Sequence, residues 1–245
     1  MFLPLFLLCV GPDSRLKAQE REWGTAVAEV TLVLGEVSLE SDSGSQAVSL
    51  HQRLQPEDRL RSGRESFCEI TFRDGPLLRL DASSELVLTA SGTDADQTIS
   101  GRILAGRLWS NCAKIFGDPD RFKTQSPTCV CGIRGTVWRL DVDADSTTTC
   151  RVYEGRVSVQ PSWSPLGTAV PDGPPGPPGE TRGPRRIGSP SEVSLEEWLV
   201  IVRKNQEVVI GADRVRPTAG FFDPEADASL EWVRWNKARD RALGR

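Results

Sequence analysis

The stretch that decides the fold reads "CGIRGTVWRLDVD" over residues 131–143 and resumes, after a short polar loop, as "TTTCRVYEGRVSV" over residues 147–159. Apolar and polar residues alternate on both sides of the loop, which is typical of two half-buried β-strands joined in a hairpin. A glycine interrupts each run: Gly135 in an Arg-Gly-Thr corner, and Gly155 directly after Glu154. Glycine can adopt backbone angles that are closed to other residues, so both positions predict sharp bends.

The same pattern extends outward from this hairpin. "VAEVTLVLGEVSLES" (27–41) changes the phase of its alternation at Gly35, which indicates a bulge or a bend, and "CEITFRDGPLLRL" (68–80) contains two strands around an Asp-Gly turn. "TISGRILAGRLWS" (98–110) has apolar residues near helical spacing, but each of its two internal glycines would cost a helix about 1 kcal/mol. The pattern favours strands throughout and predicts an all-β domain over residues 27–160, either a short β-solenoid or a sandwich.

The composition argues against several classes of function. The 245 residues carry a net charge of −4, so no overall positive field favours nucleic acid, and one His and one Tyr leave few groups for acid–base chemistry. The chain contains no nucleophile elbow, phosphate-binding loop or dinucleotide fingerprint. The acidic "DVDAD" segment (141–145) lacks the central Gly and terminal Glu of a calcium loop and predicts a hairpin loop. We therefore expect no catalytic residue, cofactor or metal.

The N-terminus indicates export. Residues 2–10 form an uncharged, mostly apolar run of nine, which suits the core of a signal peptide and is too short to cross a bilayer. Ala18 is a suitable small residue before a cleavage site, although no Lys or Arg precedes the run. We predict a weak signal peptide at residues 1–18, a periplasmic or secreted location, and no transmembrane segment.

Composition and pattern change after residue 160. Residues 161–190 contain nine Pro and six Gly, which predicts a semi-rigid linker, and residues 191–245 are expected to form a helical C-terminal extension. Ser194 and Glu197 fit a capping box before a helical stripe, and Asp223 precedes Pro224 as at a helix start. We expect Trp232 and Trp235 to pack on the β core, in preference to a membrane surface or a partner protein.

Five cysteines lie within the predicted β domain and are candidates for disulfides in an exported protein: Cys68, Cys112, Cys129, Cys131 and Cys150. Because the number is odd, at least one would stay unpaired or pair between chains. Two of them alternate within one strand, "CVC", so their side chains share a side, and bonds to neighbouring strands are favoured over a bond between the two. A CxC motif without a second ligand pair is a weak signal for metal.

Residues 128–159 resemble the signature of the FecR domain family, in which a corner opens one strand and a Glu-Gly motif closes the next. The matching residues here are Ile133, Arg134, Gly135 and Thr136, followed by Glu154, Gly155, Val157 and Val159. Upstream, the segments "LRSGRESFCEITFRDG", "LRLDASSELVL" and "ILAGRLW" resemble the turns and the strand that precede the signature. The resemblance covers roughly residues 30–160.

The resemblance implies reception of a signal outside the cytoplasm, since transmembrane members of the family receive a periplasmic signal and control a sigma factor inside the cell. This chain lacks their cytoplasmic helical domain and transmembrane helix, so we expect a free-standing FecR-type module.

The predicted function is non-enzymatic binding of an envelope protein in signalling or assembly. The alternative is a module that binds carbohydrate or cell-wall glycan, with Trp109 or Trp138 as an exposed platform. We further hypothesise that Arg134 packs against Glu154 or Asp81.

Overall fold

The computed structural model describes residues 23–41, 44–73, 75–91, 98–112, 122–162, 199–213 and 217–245. The predicted signal peptide, and the predicted linker apart from Pro161 and Ser162, lie outside these ranges. Within them the fold is sheet-rich with a small helical end, as the sequence predicts.

The described ranges contain fifteen strands and two helices. In chain order the strands are β1 (Ala28–Leu34), β2 (Val37–Ser41), β3 (Gly44–Ala47), β4 (Arg53–Leu54), β5 (Arg59–Ser62), β6 (Phe67–Phe72), β7 (Leu77–Leu80), β8 (Glu85–Ser91), β9 (Thr98–Asn111), β10 (Phe122–Gln125), β11 (Cys129–Val142), β12 (Thr148–Pro161), β13 (Val200–Arg203), β14 (Gln206–Ile210) and β15 (Thr218–Phe221). The helices are α1 (Pro224–Ala228) and α2 (Glu231–Ala242).

Strand pairing divides the sheet into two halves that share three long strands. The first half runs β3-β2-β5-β8-β9-β10-β11-β12-β13 and uses the N-terminal parts of β9 and β11 with the C-terminal part of β12. The second half runs β4-β1-β6-β7-β9-β11-β12-β14-β15 and uses the opposite parts of the same three strands. β9 and β10 are parallel, whereas the other pairs are antiparallel.

Glycines mark the points at which the shared strands pass from one half to the other. Gly106 in β9, Gly135 in β11 and Gly155 in β12 have φ angles of +86°, +59° and +77°, in the left-handed region. Gly155 lies directly against the corner of β11: a Cβ atom at this position would lie 2.5 Å from the Gly135 carbonyl oxygen and 2.7 Å from Thr136 Cγ2. The two glycine motifs of the sequence are therefore stacked corners of neighbouring strands.

The two halves face each other across one apolar core. Phe72 of β6 and Phe122 of β10 approach edge to face with ring centroids 4.9 Å apart. Gly101 of β9 lies so near Leu78 of β7 that a Cβ atom would come within 2.7 Å of its Cδ1 atom. As predicted, the alternate residues of the "CEITF" strand are buried on the inner face. The arrangement is sandwich-like.

The sequence prediction was wrong for part of the C-terminal region. Residues 200–203 form β13 and pair with β12, with Val202 opposite Val157, instead of continuing a helix from Ser194. The run Val200, Ile201, Val202 is β-branched, and such residues prefer strands, so pairing with β12 outweighs the helical spacing. Residues 191–198, which include the capping box, lie outside the described ranges. β14 and β15 then extend the second half of the sheet.

The chain ends in two helices that pack on the outer surface of the second half. Asp223 caps α1 as predicted, since its Oδ1 accepts hydrogen bonds from the backbone N–H of Glu225 and Ala226 at 2.9 and 3.3 Å. On α2, Trp232 and Trp235 stack against Phe67 of β6 with centroids 5.4 and 5.7 Å apart. The prediction that both tryptophans pack on the β domain is confirmed. Neither described helix has the length and apolar character needed to span a membrane.

The stacked corners predict that alanine costs more stability at Gly155 than at Gly135. Gly155→Ala places a methyl group against the Gly135 carbonyl and Thr136, and also forces alanine into positive φ. Gly135→Ala meets only the backbone cost, about 1–2 kcal/mol, because no atom lies within 4 Å of its added Cβ. We expect Gly155→Ala to lower the free energy of unfolding by a further ~1–3 kcal/mol, measured by chemical denaturation. Equal losses for the two variants would contradict the stacked arrangement.

Candidate functional site

The signature residues of the sequence serve the corner itself. Ile133 points into the core, and Thr136 is fully buried with its hydroxyl donating to the Arg156 carbonyl at 3.4 Å. The backbone of Arg134 pairs with Arg156, but its side chain lies outside the described ones, so the hypothesis about its packing stays a prediction. Glu154 is exposed. These positions shape the backbone; Ile133 and Glu154 line two different pockets and do not converge on one.

Asp81, the other partner considered for Arg134, makes different contacts. Its Oδ2 accepts from Arg107 at 3.1 Å and its Oδ1 from the backbone N–H of Ala82 at 2.8 Å. Both bonds lie at the corner between β7 and β8, so Asp81 stabilises that turn.

Most of the buried charged and hydrogen-bonding side chains near the helices lie on the outer surface of the second sheet half, beneath α1 and α2. We call this surface the helix-covered face and define it by Glu69, Arg79, Trp109, Arg139 and Tyr153. These side chains come from β6, β7, β9, β11 and β12, and the last three are the shared strands. The corners therefore determine how this face is presented to the helices.

A buried charge network joins the face to α2. Arg79 is 0% exposed; its Nε donates to Glu69 Oε2 at 2.7 Å, and its Nη1 lies 2.6 Å from Asp240 Oδ1. The second contact is an ion pair at an angle unsuited to hydrogen bonding, and the hydrogen bonds of Nη1 go to Asn236. Arg239 donates to both Glu69 oxygens, at 2.7 and 2.8 Å. Two acids and two bases thus neutralise one another under the helix.

Hydrogen bonds donated by aromatic side chains extend the contact between this face and the helices. Trp109 Nε1 donates to Asp240 Oδ2 at 3.1 Å, and Tyr153 OH donates to Asp227 Oδ2 at 2.7 Å. Arg139 also binds Asp227, at 2.9 Å. Burial, and after it the hydrogen bond to Asp227, raise the pKa of Tyr153 well above its ordinary value despite the nearby Arg139. Tyr153 therefore stays protonated and acts as a donor that holds α1.

The pKa of Glu69 reflects the same arrangement. Burial opposes its charged form, but the hydrogen bonds from Arg239 and Arg79 outweigh burial and lower its pKa from 4.5 to about 2. A carboxyl group with such a low pKa is a poor proton acceptor near neutral pH. The network is suited to holding the helix and not to proton transfer.

The five candidate disulfide cysteines are all buried free thiols in the structure: Cys68, Cys112, Cys129, Cys131 and Cys150. As expected for alternate residues of one strand, Cys129 and Cys131 lie side by side, with sulfur atoms 3.9 Å apart. Burial raises the pKa of Cys68 and of Cys112 to about 12, so both stay protonated near neutral pH. A disulfide in material from an oxidising compartment stays a prediction. No group of three metal-ligating side chains occurs among the described residues.

The two tryptophans proposed as a carbohydrate platform are fully buried. Trp109 and Trp138 are each 0% exposed, Trp109 under the helices and Trp138 in the main core. Sugar rings stack on exposed aromatic faces, which neither residue presents. This weakens the carbohydrate-binding alternative.

His51 and the acidic segment at residues 141–145 do not form a site. His51 is exposed and contacts Glu29 at 2.7 Å. Residues 143–145 of the "DVDAD" segment lie in the hairpin loop between β11 and β12, whereas Asp141 and Val142 end β11. The Glu69–Arg79–Asp240 network was not predicted from the sequence. Its signal was Arg79 within the apolar run "LLRL", since an arginine there must be paired once the strand is buried.

A second surface has large apolar side chains that are exposed to solvent. β13 and β15 lie at the margins of the two halves, and three large apolar residues near them are exposed: Leu199 by 45%, Ile201 by 37% and Phe221 by 79%. Ile201 and Phe221 line the same shallow groove, of about 180 Å³. Among the described strands, β15 pairs only with β14, so one side of its backbone is unpaired. We call this surface the open edge.

In a comparison with known protein families, the central part of the chain matches one family model. Residues 58–158, from β5 to β12, match the family model described as FecR protein. No curated protein matches the chain.

Two solved structures are similar to the chain over part of its length. Both are crystal structures of a proposed anti-sigma factor from Parabacteroides distasonis ATCC 8503, at 2.50 and 1.65 Å resolution. The first is 11% identical with a TM-score of 0.46, covering 68% of this chain and 61% of that one. The second is 12% identical with a TM-score of 0.46, covering 71% and 64%. The chain thus spans less than two thirds of either structure.

The charge network predicts an acid-sensitive stability. The pKa of Glu69 is about 2 in the folded chain and 4.5 ordinarily. Its contribution to the free energy of unfolding is therefore complete above pH ~5 and is lost as the pH falls to ~2. The difference corresponds to roughly 3 kcal/mol. We expect denaturation curves between pH 5 and 2 to show this loss in the native chain and not in Glu69→Gln.

The exposed Glu65→Gln is the matched control, and it should retain the native pH dependence. Parallel stability curves for the native chain and Glu69→Gln would contradict the role assigned to Glu69.

Proposed function

We propose, from the premise that the chain carries a FecR-family domain at residues 58–158, that it is a non-enzymatic extracytoplasmic module that binds a protein partner in envelope signalling or assembly. The family match carries this proposal, because it spans both glycine corners and the strands that form the helix-covered face. Members of this family are in general regulators without catalytic activity.

The geometry of the buried charged groups indicates that they hold α2 on the β domain. Glu69 and Arg79 are paired with each other and with Arg239 and Asp240 of α2, and this helix covers them. A catalytic carboxylate needs access to substrate and a pKa near the working pH, whereas Glu69 is buried with its pKa at about 2. The charges at the face therefore favour a recognition module over an enzyme.

The proposed location outside the cytoplasm rests on the sequence. The apolar run at residues 2–10 has the length of a signal-peptide core, and a FecR-type module receives its signals in the periplasm. A periplasmic or secreted location follows for this chain as part of the proposal.

The open edge is the surface that we assign to the partner. An unpaired strand edge offers backbone N–H and C=O groups to an incoming strand, and β15 has such an edge among the described strands. Phe221 adds an aromatic anchor beside Ile201, the kind of residue that dominates protein interfaces. The occupant is an extended segment of an envelope protein with an apolar residue facing Phe221.

Crosslinking in cells tests this assignment. A photo-crosslinking amino acid at position 221 of a tagged full-length chain should capture one envelope protein, identified by mass spectrometry as a receptor or a sigma-regulating component. The purified pair should then bind, and Phe221→Asp should weaken binding at least ~10-fold, since it replaces the aromatic anchor by a charge.

The matched control is Leu50→Asp, which places the same charge at an apolar residue that is 54% exposed and distant in the fold. It should leave binding unchanged. Equal loss in both variants, or capture from position 50 instead, would overturn the assignment to the open edge. Recovery of cell-wall glycan without protein would support the carbohydrate alternative, and recovery from the cytosol alone would contradict export.

A further inference from the structure

The outer surface of the first sheet half contains a cleft with three cationic side chains. The cleft has a volume of about 570 Å³ and is lined by Lys123 of β10, Arg156 and Ser158 of β12, Arg203 of β13, and Gly132, Ile133 and Ile201. Strand register aligns these positions: Lys123 lies opposite Gly132, which lies opposite Ser158, and Arg156 lies opposite Arg203. The cations thus come from three strands onto one surface.

Gly132 allows the Ser158 side chain to lie against the floor of this cleft. A Cβ atom at this position would meet Ser158 Oγ at 2.6 Å, and the Ser158 hydroxyl donates to the Gly132 carbonyl at 3.1 Å. The absence of a side chain at Gly132 therefore makes room for the Ser158 hydroxyl, which lies in the lining of the cleft.

The direct pairing of Arg156 with Arg203 is unfavourable by itself. Like charges opposite each other on neighbouring strands repel and lower stability. The chain contains a second pair of this kind, Arg139 opposite Arg151, and there Asp141 lies between the two and binds them at 3.0 and 2.9 Å. At Arg156 and Arg203 no described carboxylate takes that place.

Several cations on other strands are neutralised across the sheet. Arg79 pairs with Glu69, Arg61 with Glu85, and Arg151 with Glu207. By contrast, Lys123, Arg156 and Arg203 form no ion pair with any described residue. The positive charge of the cleft is therefore left uncompensated where the sheet elsewhere supplies a carboxylate.

We infer that this cleft binds a small molecule through a phosphate group, which takes between Arg156 and Arg203 the place that Asp141 takes between Arg139 and Arg151. This site borders the open edge, with which it shares Ile201 and Arg203, and it goes beyond the proposed partner binding.

The charges favour phosphate over a single carboxylate. One carboxylate supplies one negative charge against three cations, whereas a phosphate monoester supplies about 1.5 to 2 and a diphosphate more. Guanidinium groups bind phosphate oxygens through paired, charge-assisted hydrogen bonds. The cleft volume falls within the ~300–1,000 Å³ typical of small-molecule sites, and Ile201 offers an apolar wall for the remainder of the ligand.

Calorimetric titration of the full-length chain with inorganic pyrophosphate tests the inference, at an ionic strength of about 50 mM to limit screening. The native chain should bind pyrophosphate, and Arg156→Gln/Arg203→Gln should weaken binding at least ~10-fold. The control Arg64→Gln/Arg234→Gln removes the same charge at two exposed arginines elsewhere and should change binding less than ~2-fold. Absence of pyrophosphate binding, together with absence of vesicle binding, overturns the inference.

A parallel measurement distinguishes the source of the phosphate. Sedimentation with vesicles that contain phosphatidylglycerol, if lost in Arg156→Gln/Arg203→Gln and kept in the control, identifies a lipid headgroup; binding of pyrophosphate without vesicle binding identifies a soluble ligand. Equal loss in both double variants would show non-specific attraction and overturn the site.

Thermal unfolding completes the test. Because it removes a repulsive pair, Arg156→Gln/Arg203→Gln should not lower the melting temperature. A clear decrease would mean that the two arginines stabilise the fold, and would overturn their assignment to a ligand.

Discussion

The close approach of Gly155 to the Gly135 carbonyl is the contact on which the rest of the architecture depends. It allows β11 and β12 to bend at the same level and to remain paired on both sides of the bend, from Arg134–Arg156 to Val137–Glu154. A side chain at position 155 would separate the two corners. With the corner intact, one long hairpin contributes to both sheet halves and encloses a single core between them.

The corners also determine what the outer face of the second half presents. Beyond the bend, β11 and β12 carry Arg139 and Tyr153 outward, next to Arg79 and Glu69 of the neighbouring strands. Buried charges destabilise a fold unless each has a partner, and here Asp227, Arg239 and Asp240 come from the C-terminal helices. The central claim is therefore that these helices complete the β domain, covering a face that the strands alone would leave with unpaired charge.

Much of the β domain could be predicted because strand patterning is local. Alternation with a period of two and glycines at the phase changes predicted β1, β6, β11 and β12 and the bends at Gly135 and Gly155. The cost of two glycines in a helix predicted β9. The alternate placement of Cys129 and Cys131 on one side of a strand was predicted on the same basis.

The missed features depend on contacts between distant parts of the chain. Val202 fits a helical stripe as well as a strand, and its pairing with Val157 of β12 helps to select the strand. The network from Glu69 to Arg239 and Asp240 joins residues about 170 positions apart, which no local pattern encodes. The cationic cleft likewise exists only once β10, β12 and β13 lie side by side.

Hydrogen exchange of the full-length chain, read amide by amide, tests the central claim most directly. If α2 completes the domain, its amides and those of β6 and β7 should exchange together, through the same global unfolding and with the same dependence on denaturant. Exchange of α2 orders of magnitude faster than β6 and β7, with those strands still protected, would show that the helix is dispensable to the β domain and would contradict the account.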